Sequence, residues 1–273
     1  MKFITTTDNV QIHYQDWGQG IPVVLIHGWP LAHQMWDYQI SALTAAGYRC
    51  IAYDRRGFGK SDKPLDGYEY DTLADDLKAI MDELQLDGAI LVGFSMGGGE
   101  VVRYLSKYGS AKVAKAILVS SIIPFMLQTE DHPEGVPQET FDQITADILA
   151  ERAGFLGDFS KQFYGVGMLS QPVSEQQLNS DLVIAMQATL KSTLDCAKAF
   201  STTDFRNELA GIDVPVLVIH GDKDETVPIK ATGELAASMI PGAEYIVYEG
   251  EPHGLFITAK EKLNEDLIRF IGN

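Results

Sequence analysis

Ser95, His253 and the acidic loop from His220 to Pro228 hold the residue types from which an acyl-transfer site can be built. A serine hydroxyl is a weak nucleophile. It needs an imidazole to take its proton and a carboxylate to orient that imidazole and stabilise its cation. Ser95 lies in Gly93-Phe94-Ser95-Met96-Gly97-Gly98-Gly99, after the apolar run Ala89-Ile90-Leu91-Val92 and before Val101, Val102, Tyr104 and Leu105 at helical spacing. Gly-x-Ser-x-Gly between a strand and a helix is the nucleophile elbow, a turn so tight that the serine backbone is strained and a Cβ on either flank would meet a neighbouring element. A helix starting at Met96 aims that residue's N–H, and the positive end of its dipole, at charge developing on a substrate attacked by Ser95. The bland alternative is a glycine-rich turn with an idle serine, so the elements around it must decide.

Those elements alternate. Phe3 to Thr6 and Gln11 to Trp17 read as two strands joined at Asp8-Asn9, an antiparallel edge. Ile21 to Ile26 is apolar throughout, as expected of a strand covered on both faces, and ends in His27-Gly28-Trp29-Pro30. The pattern predicts a helix over Met35 to Ala46 closed by Gly47, a strand over Arg49 to Tyr53, a helix over Asp71 to Leu84, and a strand over Val113 to Val119. From about Pro124 to Phe205 strands stop, and helices are expected over Phe141 to Ala153, Phe155 to Tyr164 and Leu178 to Phe200. Alternation resumes with a strand over Val214 to Ile219, a helix over Pro228 to Met239, a strand over Glu244 to Tyr248 and a helix over Lys260 to Ile271. This is an α/β chain with a parallel sheet flanked by helices: a core of residues 1–123 and 206–273, and a helical cap insertion of about 124–205. The loops that begin at His220 and at Gly250 follow strands, so they emerge on the same side of the sheet as Ser95.

The chain has 273 residues, 45% of them hydrophobic, enough for one sizeable core. A formal charge of −17 argues against nucleic acid or an anionic membrane as partner, since both would be repelled. The N-terminal residues are polar and threonine-rich, and no apolar run approaches the ~20 residues that span a bilayer, so a cytoplasmic location is expected. Cys50 and Cys196 are far apart and outside any Cys-x-x-Cys motif, which suits buried thiols in a reducing compartment. Gly59-Lys60-Ser61 imitates the end of a phosphate-binding loop, but Asp54 stands where the required glycine should be. His13, His33, His132 and His220 lack metal-ligand spacing and read as structural or solvent-facing; His27 reads as a hydrogen-bonding support for its loop.

With these motifs assembled, the chain resembles the α/β-hydrolase superfamily, and more narrowly the bacterial arylesterase and cofactor-free haloperoxidase (perhydrolase) group. The resemblance runs through His27-Gly28-Trp29-Pro30, Asp54-Arg55-Arg56-Gly57-Phe58-Gly59-Lys60-Ser61-Asp62, the Ser95 elbow, Gly221-Asp222-Lys223-Asp224 with Val227-Pro228, and Pro252-His253-Gly254. It implies a mostly parallel eight-stranded sheet, with Ser95 as nucleophile, His253 as base and Asp224 as acid, while Asp222 braces the turn. The oxyanion donors would be the backbone N–H groups of Trp29 and Met96. Pro30, Phe94, Phe125, Phe159, Phe163, Phe200 and Val227, with Trp29, would line a small apolar acyl pocket. No cofactor and no metal are implied, and homo-oligomers are common in the group. Serine at the elbow separates the chain from dehalogenases and epoxide hydrolases, which resemble it but place aspartate there.

The expected reaction is hydrolysis of short-chain or aryl esters, with acetate the leading acyl group. Pro30 adds a second expectation. It lacks an N–H and biases Trp29 toward extended geometry, which alters where the Trp29 carbonyl points. Hydrogen peroxide bound by that carbonyl would compete with water and yield a peracid; the competing reading is that Pro30 only shapes the loop. Two other functions use the same residues differently: a γ-lactamase or amidase, which must protonate a leaving nitrogen, and a ligand receptor that binds on a hydrolase scaffold without turnover.

Overall fold

The computed structural model describes all 273 residues. Strands β1 (Lys2–Thr5), β2 (Gln11–Trp17), β3 (Pro22–Ile26), β4 (Arg49–Tyr53), β5 (Ala89–Phe94), β6 (Val113–Val119), β7 (Val216–Gly221) and β8 (Glu244–Tyr248) form one sheet. Their order is β1-β2-β4-β3-β5-β6-β7-β8. β1 and β2 pair antiparallel at one edge, β2 is antiparallel to β4, and every later pairing is parallel. The central strands are buried on both faces, which explains why β3 and β5 are apolar along their length.

Ten helices flank or interrupt the sheet: α1 (Asp37–Ala45), α2 (Tyr70–Glu83), α3 (Met96–Tyr108), α4 (Gln138–Phe163), α5 (Glu175–Ala185), α6 (Leu190–Thr202), α7 (Arg206–Leu209), α8 (Gly233–Met239), α9 (Leu255–Thr258) and α10 (Lys260–Gly272). On one face Val24, Ile26 and Leu91 pack with Leu77 of α2 and Val102 of α3. On the other, Val23, Leu25, Ile90 and Val92 pack with Leu43 of α1 and Leu263 and Leu267 of α10. No helix is long and apolar enough to cross a membrane.

Several element boundaries differ from the sequence reading. The helix expected over Leu178 to Phe200 is two helices, because the Thr189 side chain accepts the Ser192 N–H and Ser192 returns the bond, a capping box that starts α6 afresh. The two helices expected from Phe141 to Tyr164 are present as the two halves of α4, but they break at Glu151 (φ −159°, ψ 90°) rather than after Ala153. The Glu151 carboxylate accepts the N–H groups of Ala153 and Gly154, so it recaps the second half. β7 begins two residues later than expected, because Pro215 has no N–H for the ladder, and it extends through His220 and Gly221. α8 starts only at Gly233, since Pro228 to Thr232 are used in tight turns. The helix expected from Met35 opens as a 3₁₀ turn over His33–Trp36.

Candidate active site

The elbow is imposed by backbone proximity. A Cβ on Gly93 would stand 2.6 Å from the carbonyl of Gly97, and one on Gly97 would stand 2.5 Å from the Ile26 carbonyl oxygen. Both are backbone contacts that cannot give way, so only glycine fits. Between them Ser95 adopts φ +53° and ψ −119° at the N-cap of α3. The first N–H groups of a helix have no intrahelical acceptor, which leaves the Met96 N–H free.

Parallel pairing of β7 with β8 brings the loops after them together beside Ser95. His253 Nε2 lies 3.0 Å from Ser95 Oγ, and His253 Nδ1 lies 2.6 Å from Asp224 Oδ2. All three residues are buried. Asp224 Oδ1 accepts the Thr226 and Val227 N–H groups at 2.9 and 2.7 Å. Burial alone would oppose ionisation of Asp224, but the charge of His253 and hydrogen bonds from His220 and His253 outweigh it and hold the carboxyl well below its usual range. Asp222 is exposed and instead accepts the Gly250 N–H at 2.6 Å, tying the two loops together. The His253 ring is flanked by Phe94 and Phe163, with centroids 4.9 and 4.7 Å away.

The loop after β3 carries the second candidate oxyanion donor, and the Trp29 N–H donates to no backbone group. His27 is fully buried beneath it. Its Nε2 accepts the Arg55 N–H at 2.9 Å, so its proton sits on Nδ1 and is donated to the Gly28 carbonyl at 2.9 Å. Desolvation, with the neighbouring Arg55 charge, drives its pKa down to about 3, so His27 stays neutral. Arg55 Nη2 donates to the His27 carbonyl at 2.6 Å and its Nε to Glu100 of α3 at 2.6 Å, while Tyr53 also donates to Glu100. A buried ion pair thus couples the elbow helix to the loop. The Trp29 indole donates to the Thr193 carbonyl of α6 at 3.0 Å, which joins the same loop to the helical insertion.

A cavity of about 600 Å³ opens above Ser95 and His253. Of the expected lining residues, Trp29, Phe159, Phe200 and Val227 face it. Four others lie elsewhere. Pro30 and Phe163 line a small neighbouring void. Phe94 is wholly buried beneath the site against Trp36 and Phe256, because β5 must pack its last side chain into the core. Phe125 turns away to pack on His132 and Arg206. The sequence reading missed Ile122, Met126, Phe141, Ile144 and Phe155. Phe155 was within reach, since it precedes Phe159 by one helical turn and their rings stack at 5.9 Å.

All four histidines left without a role are buried, which selects the structural reading over the solvent-facing one. His13 and His33 converge on Asp54, with Nδ1 atoms 3.0 and 2.6 Å from its two oxygens, and the three ligand-type atoms lie within 4.8 Å of one another, close enough to hold a metal ion. Spacing gave no hint of this group, because its members come from three separate segments. The Lys60 N–H also donates to Asp54, and the Ser61 hydroxyl to its carbonyl, so Gly59-Lys60-Ser61 wraps an aspartate where a phosphate loop would hold an anionic ligand.

Residues 21–260 match a family profile described as the alpha/beta hydrolase fold. The non-heme chloroperoxidase CPO-A1 of Kitasatospora aureofaciens is 44% identical, over 99% of this chain and 99% of that protein. The bifunctional esterase/perhydrolase DCH of Acinetobacter calcoaceticus is 40% identical over 99% of each chain. Among solved structures, the bromoperoxidase from Bacillus anthracis superposes with a TM-score of 0.97 at 44% identity, covering 100% of this chain and 99% of that one.

Proposed function

This chain belongs to the alpha/beta hydrolase family, and on that premise we propose that it is a serine esterase of short-chain or aryl carboxylic esters with perhydrolase activity. The observation that carries the reading is the hydrogen-bonded chain Ser95–His253–Asp224 at the floor of a cavity of about 600 Å³. Relatives named as esterase/perhydrolase and chloroperoxidase along its full length support the same activities.

In this reading Ser95 Oγ attacks the ester carbonyl carbon while its proton passes to His253 Nε2, 3.0 Å away. The Asp224 anion stabilises the imidazolium. Negative charge on the carbonyl oxygen is met by the N–H groups of Trp29 and Met96, each worth about 3 kcal/mol in comparable sites. Collapse expels the alcohol, which takes the proton from His253. Water, activated by the same histidine, then cleaves the acyl-Ser95 ester. Hydrogen peroxide in place of water yields a peracid, and the Trp29 carbonyl is its acceptor. Pro30 faces away from the cavity, so it acts on peroxide only through the backbone it shares with Trp29.

The helical insertion of about 124–205 acts as a cap over this site, since Phe155, Phe159 and Phe200 form its far wall. The enzyme works in the cytoplasm as a homo-oligomer; the location is supported by Cys50 and Cys196, which are unpaired, buried and held as thiols, each pushed up to about 12 by burial. Initial rates of p-nitrophenyl acetate cleavage by wild type and Ser95→Ala test the activity. A drop of about three orders of magnitude or more is expected, and equal rates would move the reading to a non-catalytic receptor. The perhydrolysis-to-hydrolysis ratio of Pro30→Leu tests peroxide use; an unchanged ratio removes Pro30 from it.

A further inference from the structure

We propose that His220 is a positioning residue of this acyl-transfer site: its Nε2 hydrogen bond to the Val227 carbonyl fixes the loop that carries Asp224 and holds the ring against the Asp224 carboxylate. The proposal rests on the esterase reading above. His220 is the second-last residue of β7 and is fully buried. Its Nε2 stands 2.9 Å from the Val227 carbonyl oxygen and 3.2 Å from Asp224 Oδ2. Both neighbours only accept, so Nε2 carries a proton. Its Nδ1 is buried without a partner and faces Gly233, where a Cβ would stand 2.5 Å from it. A proton on Nδ1 would be an unsatisfied buried donor, so the tautomer is the one protonated on Nε2.

That geometry gives Asp224 three hydrogen-bond donors and the positive edge of one further imidazole. The Thr226 and Val227 N–H groups hold Oδ1 and His253 holds Oδ2, while the His220 N–H, donated to the Val227 carbonyl, lies with its nitrogen 3.2 Å from Oδ2. His253 gains and loses a proton during turnover, so its grip on Oδ2 varies. His220 is the one imidazole beside Asp224 outside the proton relay. It also holds the carbonyl of Val227, which lines the cavity, so a single imidazole ties the acid and the pocket wall to β7. The titratable groups facing Asp224 are His253 and His220, while the adjoining Glu225 is exposed. His253 in turn faces Ser95, Asp224 and the rings of Phe94 and Phe163. With that imidazole edge removed, more negative charge rests on Oδ2 and the His253 imidazolium is stabilised further.

The test compares His220→Leu, which donates nothing, with His220→Gln, whose amide nitrogen can stand where Nε2 stood. For p-nitrophenyl acetate, His220→Leu should lose about 10- to 100-fold in kcat, the range set by leaving one buried acceptor unpaired, with KM within ~3-fold. The acid limb of its kcat/KM profile should move to higher pH, and His220→Gln should recover to within ~5-fold of wild type. In wild-type protein labelled with ¹⁵N, His220 should show a protonated Nε2 and a bare Nδ1, a readout independent of any variant's folding. Three results overturn the proposal: Nδ1 protonated in the wild type, His220→Leu within ~2-fold of wild type, or both variants equally slow with an unmoved acid limb. A wild type no faster than Ser95→Ala overturns the esterase reading itself.

Discussion

Asp224→Asn should invert the tautomer of His253, because two short backbone hydrogen bonds at Oδ1 outweigh the single His220 contact at Oδ2 in orienting the asparagine. The Oδ1 position receives two backbone N–H donors, from Thr226 at 2.9 Å and Val227 at 2.7 Å. An amide NH₂ placed there would oppose both, so the amide oxygen must take that position. The NH₂ then falls on the Oδ2 position, 2.6 Å from His253 Nδ1, and donates to it. His253 must accept at Nδ1 and carry its proton on Nε2, 3.0 Å from Ser95 Oγ, where an acceptor is needed. The same inversion in serine proteases lowers kcat about 10⁴-fold. A loss of about 10³- to 10⁴-fold is expected here, which is about 4 to 5.5 kcal/mol of transition-state stabilisation. Saturating p-nitrophenyl acetate, with active-site titration to count competent enzyme and a thermal melt to show folding, gives the measurement. A folded Asp224→Asn enzyme that keeps more than about a tenth of wild-type kcat would refute the reasoning, because no correct tautomer is then required.

Glu100→Gln leaves the buried Arg55 guanidinium without its anion, and breaking such a pair costs about 3–5 kcal/mol; urea unfolding reads it, and a change under about 1 kcal/mol would mean that the pair carries no weight. Because Arg55 also holds the His27 carbonyl, the variant's acylation rate should fall with its stability. Acid stability follows from His27, whose folded-state pKa of about 3 lies below its ordinary 6.5. Below pH 6.5 the unfolded chain binds a proton that the folded chain refuses, so stability should decline by about 1.4 kcal/mol per pH unit from this residue as pH falls toward 3, with no contribution above 6.5. The Asp224 carboxyl, held low in the folded state, adds its own loss in the same direction at still lower pH. Unfolding series across pH for wild type and His27→Gln should show a flatter acid slope in the variant, and identical slopes would reject the assignment.

Local backbone chemistry made the elbow readable from residue order. Gly93 is required by the backbone of Gly97 four residues on, the matching Gly97 by the backbone of Ile26 in β3, and strand–turn–helix alternation shows in apolar spacing. The parallel sheet was legible for the same reason, since strands covered on both faces must be apolar throughout. Boundaries failed where a single side chain acts against the pattern: Thr189 restarting a helix, Glu151 recapping one, Pro215 delaying a strand. The candidate site was legible as far as chain order and the rule about strand ends could take it.

What tertiary structure alone decided are the partnerships. Asp222 and Asp224 are two residues apart and chemically alike. Only the crossing of the loops after β7 and β8 sends one to the Gly250 N–H and the other to His253. The cavity wall, the proton positions on His27 and His220, and the meeting of His13, His33 and Asp54 likewise depend on distances between segments far apart in sequence. Apolar periodicity reports which face of an element is buried, and glycine reports where a Cβ has no room. Neither reports which polar group a buried side chain will meet, because a hydrogen bond is settled within a few tenths of an ångström by elements that the sequence brings together only once the whole sheet has formed.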